Sequence, residues 1–581
     1  MIYYYKRDMV RLVSIILMIC FLFPMVGCGK QEPKVQPATE VERLSKLCRV
    51  WGYVKYTHPA FLLGQKDWDA ELLTLIPQVR ELETNEEVNA LLHEWFVGLG
   101  EIDYGTSRPA AFWAEAAEED KVVIADTSWT TNAGYLGEDL AGDLGQLGEI
   151  PDIRRRKGPV HFQINSMLEV TYPIFNENEH PDMDFANEEY RLLGLFRAWN
   201  VLEYYFPYHD LLEEDWGDCL EEIIPIMLEG DDQDSYLNAI LRLLTKLHDN
   251  HVSLAFNPID FSVLATASYA DVTADATFFA EEAEGKLVVS GTTDGCPLAL
   301  GDIILEMNGM SVEEAVQRVK PYTPCSRDSA FLSRNAYKIF REMASIQEPA
   351  EVTVLRDGKE ESLLCQKVFV SGLRAAPLEE YRILDGNIGL INPANRPQDS
   401  IMQDLRDTDG LIIDLRQYPL AGDEMCAFYP YFTAEYVPAF IHGSPSGAVP
   451  GAYVKEVYSV GYRPGDEEQG VYHYDRPVVV LMDEFSQSAS ERAAWSIGKG
   501  KNVVLMGQNT IGALSWAVGV PLPGGFWFTF TSVRTELDDG SQFQRVGLTP
   551  DIPVSRTIQG ITEGRDELME AAMDYINRQK G

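Results

Sequence analysis

One stretch of this chain occurs twice. Arg49, Trp51, Tyr56 and Pro59 return, 148 residues later, as Arg197, Trp199, Tyr204 and Pro207. The same offset carries Asp67 and Trp68 onto Asp215 and Trp216, Ile76 and Pro77 onto Ile224 and Pro225, and Leu99 onto Leu247, without insertion. Apolar positions correspond at helical spacing, with Leu44, Leu47, Cys48, Trp51 and Val54 in the first copy and Leu192, Leu195, Phe196, Trp199 and Leu202 in the second. A duplication this regular predicts two helical units of one design, at 41–105 and 187–261. Residues common to both copies are those that both need for packing, whereas residues that differ are free for function. The second copy ends in Leu247, His248, Asp249, Asn250 and His251, where the first has Leu99, Gly100, Glu101, Ile102 and Asp103. His251 falls in a short polar turn between a helix and a strand-like stretch, a place where functional residues concentrate. Most histidines are nevertheless exposed or satisfied within a core, and His58, whose counterpart is Phe206, reads as an aromatic filler.

The remaining length calls for further domains, since single cores rarely grow beyond roughly 250–300 residues. The full chain has 581 residues, of which 45% are apolar, so it can bury several cores. Lys6, Arg7 and Arg11 precede an apolar run at 12–26 that ends at Gly27 and Cys28. Residues 1–28 thus resemble a bacterial lipoprotein signal, which implies lipidation of Cys28 and an extracytoplasmic, membrane-tethered protein; an uncleaved anchor helix is the alternative. Residues 29–40 are polar, contain two prolines and read as a flexible tether. The net charge of −42 argues against nucleic acid as a partner. Six cysteines beyond Cys28 are widely separated, with no metal-ligand spacing, so neither metal nor cofactor is expected.

Residues 106–186 mix strand-like segments with Gly- and Asp-rich loops and read as a β-containing connector. Residues 262–370 are β-rich, and the run through Gly295, Leu300, Gly301, Asn308 and Gly309 resembles the core of a PDZ domain. That resemblance implies peptide binding around Gly295, Leu300 and Gly301, by addition of an extended chain to a sheet edge. Residues 380–560 alternate buried strands with helices, as an α/β core with a largely parallel sheet would, and 561–581 form a C-terminal helix. The fold class expected is multidomain α+β.

Within that core an apolar run at 478–482 passes through a polar turn into a helical run, which sets Ser488 at a helix N-terminus. Ser488 with Glu491 three positions on also reads as a capping box. The order of pieces resembles the C-terminal processing and tricorn-type serine peptidase family, whose core is ClpP/crotonase-like. Four motifs carry the resemblance: the turn ending at His251; the run from Gly295 to Gly309; Asp409, Gly410, Asp414, Arg416 and Pro419; and Ser486, Ser488, Ala489, Ser490 and Glu491 followed by Gly507, Thr510 and Gly512. It implies a serine peptidase acting on extended or unfolded polypeptides, with Ser488 as nucleophile and the Ala489 N–H as oxyanion donor. The processing branch places a lysine base where this chain has Ala513, so the resemblance assigns the base to His251. Asn250 and Gln544 stand where the tricorn-like branch has a serine and an acid, and either of them, or Asp249, would orient the ring. The family's oxyanion glycine pair is Leu420 and Ala421 here, with Gly422 beside it. Those departures leave a second reading open, a peptide-binding pseudopeptidase on the same scaffold.

Overall fold

The computed structural model describes residues 37–580 apart from 106–110, 151–156, 167–168, 257–276, 345–348, 367–369, 372–378, 393–398 and 417–423. Cys28, the leader, most of the tether and Gly422 lie outside the described residues. Helices α1 (Glu40–Thr57), α2 (Trp68–Arg80) and α3 (Asn85–Gly98) are followed, at the same offset, by α4 (Glu188–Tyr205), α5 (Trp216–Glu229) and α6 (Gln233–Thr245). Their starts have a common cause: Thr39, Asp67, Thr84, Asn187, Asp215 and Asp232 each accept a hydrogen bond from a first-turn N–H that the helix itself cannot satisfy. The paired tryptophans make one bond twice, Trp51 Nε1 to the Trp68 carbonyl at 2.9 Å and Trp199 Nε1 to the Trp216 carbonyl at 2.8 Å. Helices α1 and α4 approach closely at Gly52, where an added Cβ would sit 1.7 Å from Asn200 Oδ1.

A second body is a sheet in the order Lys359–Cys365, Ala350–Arg356, Ile303–Met307, Lys286–Thr292, Phe278–Ala283, Val370–Ser371, antiparallel except for its last pair. Asn308 and Gly309 both have positive φ, 48° and 78°, which suits the tight turn that joins Ile303–Met307 to Met310–Ser311. Helices α7 (Val312–Val319), α8 (Phe331–Arg334) and α9 (Ala336–Met343) follow, and Phe340 of α9 meets the Phe278 ring edge-on at 5.9 Å.

The third body is a sheet ordered Tyr381–Leu384, Ile388–Ile391, Gly410–Asp414, Val478–Met482, Val503–Gly507, Ile552–Pro553, parallel after its first strand. Every residue of Val478–Met482 is buried, as expected of a strand covered on both faces. Helix α10 (Ala489–Gly498) covers one face through Ala493, Ala494 and Ile497, and α11 (Glu567–Gln579) the other through Leu568, Ala572 and Ile576.

Two smaller sheets tie the bodies together. Lys121–Val123 of the connector joins Ala452–Val460, Val437–Pro445 and Arg534–Leu537. Ser253–Phe256, which follows the His251 turn, pairs with Phe526–Thr531 of the hairpin that includes Ala517–Leu522. Phe526, Phe528 and Phe530 enter the same apolar cluster as the two helical sets, so the His251 turn is zipped onto the C-terminal region rather than left on the helical body.

Candidate active site

Ligands of open α/β sheets bind outside the carboxyl ends of the strands. Here the loops at 415–416, 483–488 and 508–513 leave those ends. Ser486 ties the first two together, its Oγ donating to the Leu415 carbonyl at 2.8 Å.

Ser488 precedes α10 with φ 53° and ψ −108°. A helix cap is ordinarily extended, and positive φ at a buried non-glycine residue costs on the order of 1–3 kcal/mol, so it persists only where its surroundings impose it. Those surroundings are specific. The Ser488 N–H donates to the Ala513 carbonyl at 3.0 Å and to the Glu491 carboxylate at 2.9 Å. The same carboxylate accepts from Thr510 Oγ1 at 2.6 Å, Gly512 N–H at 2.7 Å and Ala513 N–H at 3.1 Å. Burial pushes the Glu491 carboxyl up to about 7 against the pull of those donors. Ala489 N–H, at the head of α10, has no acceptor among the described residues and stands where a developing negative charge can be met. Beyond these backbone bonds, the Ala513 side chain is a buried methyl in an apolar cluster of the second body.

His251 stands in the turn between α6 and Ser253–Phe256. Gln487 Nε2 donates to the Asn250 carbonyl at 3.3 Å, so the residues beside Ser488 and beside His251 are bonded directly. Ser488 is 8% exposed and His251 9%. His251 Nδ1 lies 2.8 Å from Thr531 Oγ1 and 3.6 Å from Asp249 Oδ1, while Nε2 has no partner among the described residues. The Asp249 carboxylate is used by the backbone: Oδ1 accepts the His251 N–H at 3.0 Å and Oδ2 the Thr531 N–H at 3.0 Å. Burial lowers the His251 pKa, Asp249 works against it, and Arg492 and Arg334 add to it, so the imidazole is neutral near pH 7. A neutral imidazole with Nδ1 anchored and Nε2 open is a competent general base.

Two of the expected orienting groups do something else. The Asn250 amide faces Ser326, accepting its N–H at 2.7 Å, and makes no bond to the ring. Gln544 is buried, and neither Oε1 nor Nε2 has a hydrogen-bond partner among the described residues. Thr531 holds Nδ1 instead. Its only sequence signal is period two: Phe526, Phe528 and Phe530 alternate with Trp527, Thr529 and Thr531, which marks the threonines' face as the polar one. Sequence reasoning also passed over His442, which is buried beside Phe440 and Tyr458, 3.1 Å from Thr535 Oγ1, and pushed down to about 3 by burial and by Arg492. Gly295 and Leu300 lie in the turn before Ile303–Met307, Leu300 being exposed, whereas Gly301 abuts Thr562. Among the described residues no group of three or more His, Cys, Asp or Glu could hold a metal ion.

Residues 443–554 match the family model described as peptidase family S41. No curated protein sequence matches the chain. Among solved structures it is similar to a point mutant of CPAF, at 12% identity and TM-score 0.50, over 68% of this chain and 96% of that one. Mature CPAF gives 12%, 0.48, 68% and 96%. The tricorn protease gives 12% and 0.33, over 72% of this chain and 41% of its own.

Proposed function

We propose, from the premise that this chain carries a peptidase family S41 domain and is a serine-type peptidase, that Ser488 is its nucleophile and His251 its general base. The observation that carries this reading is the Ser488 backbone, held at φ 53° beside a helix N-terminus by Glu491 and Ala513. His251 Nε2 takes the proton from Ser488 Oγ as the oxygen attacks the scissile carbonyl carbon. The oxyanion that forms accepts from Ala489 N–H. Protonated His251 then gives that proton to the leaving amine, the peptide C–N bond breaks, and water repeats the sequence on the acyl-enzyme. Ala513 rules out a lysine base at that place, and Thr531 and Asp249 support the ring in its stead.

The substrate we assign is an extended or unfolded polypeptide, held in part by the region 262–370 acting as a PDZ-like module around Gly295 and Leu300. The helical sets α1–α3 and α4–α6 are read as duplicated units, and the parallel-sheet body as ClpP/crotonase-like. Tethering through Cys28 on the extracytoplasmic face of a membrane follows from Lys6, Arg7, Arg11 and the apolar run behind them.

The test is cleavage of an unfolded protein by the purified chain beside Ser488→Ala and His251→Ala. Cleavage by the parent and at least a roughly thousand-fold loss in both folded variants is expected. A parent that binds peptides but never cuts them returns the chain to the pseudopeptidase reading.

A further inference from the structure

Ser488 and His251 come from different bodies, and the bond that joins their neighbours spans 237 residues of chain. Strand pairing and the bonds to Thr531 hold the histidine turn from one side. One short segment, which leaves the antiparallel-sheet body between α7 and α9, touches the histidine turn and the loops at 483–488 and 508–513. Ser326 grips the histidine turn twice: its N–H donates to Asn250 Oδ1 at 2.7 Å, and its Oγ accepts the Asn250 N–H at 2.9 Å. Arg327 donates from Nη1 to the Thr510 carbonyl, in the loop whose Gly512 and Ala513 bond Glu491. Arg334, at the end of α8, donates from Nη2 to Gln487 Oε1 at 2.6 Å, with its guanidinium 5.4 Å from the centre of the Phe485 ring.

Gln487 completes the linkage. Its amide accepts from Arg334 with one atom and donates to the Asn250 carbonyl with the other. A carboxylate at 487 would keep the first bond and lose the second.

We propose that residues 326–334 are a clamp whose side chains, acting through Gln487 and Asn250, set His251 against Ser488. This rests on the reading of Ser488 and His251 as nucleophile and base. Ser326, Arg327, Arg334 and Gln487 are positioning residues, since a misplacement of about 1 Å at reacting atoms costs about a hundred-fold in rate while leaving substrate binding elsewhere intact.

The experiment compares the full chain with Arg334→Met, Arg334→Lys and Gln487→Glu. It reads kcat and KM on a fluorogenic peptide, labelling of Ser488 by a fluorophosphonate, amide hydrogen exchange at 247–253 and 485–490, and the thermal midpoint. The clamp predicts that Arg334→Met loses about ten-fold or more in kcat with KM nearly unchanged, exchanges faster in those two loops, and keeps its midpoint. Arg334→Lys, which still donates to Gln487, recovers most of that loss. Should Arg334→Met fail to fold, Gln487→Glu decides the same question through hydrogen exchange, because it removes the donor to Asn250 and keeps the acceptor for Arg334, while the charge it adds would raise the His251 pKa rather than speed exchange in the two loops. A parent that cleaves and labels, with Arg334→Met and Gln487→Glu matching it in kcat and exchange, overturns the clamp alone. A parent that neither cleaves nor labels, with exchange still raised in the variants, overturns the peptidase reading and with it the clamp's catalytic role, leaving residues 326–334 as a structural tie between the two loops.

Discussion

His251 is held without a direct carboxylate bond, and this sets what its environment can do. Both Asp249 oxygens are committed to backbone N–H groups, one of them that of Thr531, so the carboxylate fixes Thr531 and Thr531 meets the ring. For Nε2 to act as a base, Nδ1 must carry the proton and Thr531 Oγ1 must accept it. Thr531→Val, of similar shape, removes that acceptor and leaves a buried N–H unpaired. A loss of about 10- to 100-fold in kcat with little change in unfolding temperature is expected from steady-state kinetics and melting curves. The pH profile adds a signed expectation. Burial lowers the His251 pKa, so the acid limb of kcat/KM lies below the ordinary imidazole value of about 6.5. Asp249 opposes that shift, so Asp249→Asn should move the limb to still lower pH; a limb at or above the ordinary value would contradict the assigned environment.

Ser488 and Glu491 spell a capping box, and so do Thr39 with Glu42 and Thr84 with Glu87. The caps of α1 and α3 are extended, at φ −67° and −127°, while Ser488 stands at +53°. The motif therefore announces a helix start in all three places but not its conformation, which at Ser488 is imposed from Thr510, Gly512 and Ala513, some twenty residues on. The same limit separates what was legible from what was not. Helix starts follow from local donors and acceptors, and His251 emerged because its turn differs between the two halves. Thr531, 280 residues from His251, and Ser326, 76 from Asn250, reach the site only through sheet pairing and packing between bodies. His58 shows the residue-level reading at its most literal: it packs edge-on against Phe96 at 5.3 Å, and its Nδ1 also accepts the Ala60 N–H. If local capping governs the helices, Asp67→Ala and Asp215→Ala should each lower stability by about 1 kcal/mol in denaturant titrations, and by similar amounts, because the two aspartates accept from equivalent N–H groups.

Across the whole molecule, the connector is locked to both helical sets by buried charges. Lys55 of α1 pairs with Glu177 at 2.6 Å, Glu177 with Arg197 of α4 at 3.1 Å, and Arg197 with Asp69 of α2 at 2.7 Å, while His180 reaches Asp69 at 2.8 Å. Burial alone would raise the Asp69 carboxyl, but Arg197, His180 and Lys55 bring it down to about 2. Its folded pKa lies below the ordinary value, so its contribution, about 2 kcal/mol, is present above pH 4 and is lost as pH falls from about 4 towards 2. Glu203, Glu484 and Glu491 act with the opposite sign. Burial raises each to about 7, so the folded chain holds protons that the unfolded chain has released, and stability is lost as pH rises from about 4.5 through 7. The net charge of −42 works in the same direction, since self-repulsion grows as carboxyls ionise. The two arms place maximum stability near pH 5, measurable as the thermal midpoint between pH 2 and 8. Asp69→Asn should flatten the acid arm while lowering the whole curve, because Arg197 and His180 lose their charged partner. Glu203→Gln should flatten the neutral arm, since the amide stays uncharged where Glu203 must ionise. A midpoint that rises steadily from pH 5 to 8 would show that these buried carboxyls do not govern the neutral arm.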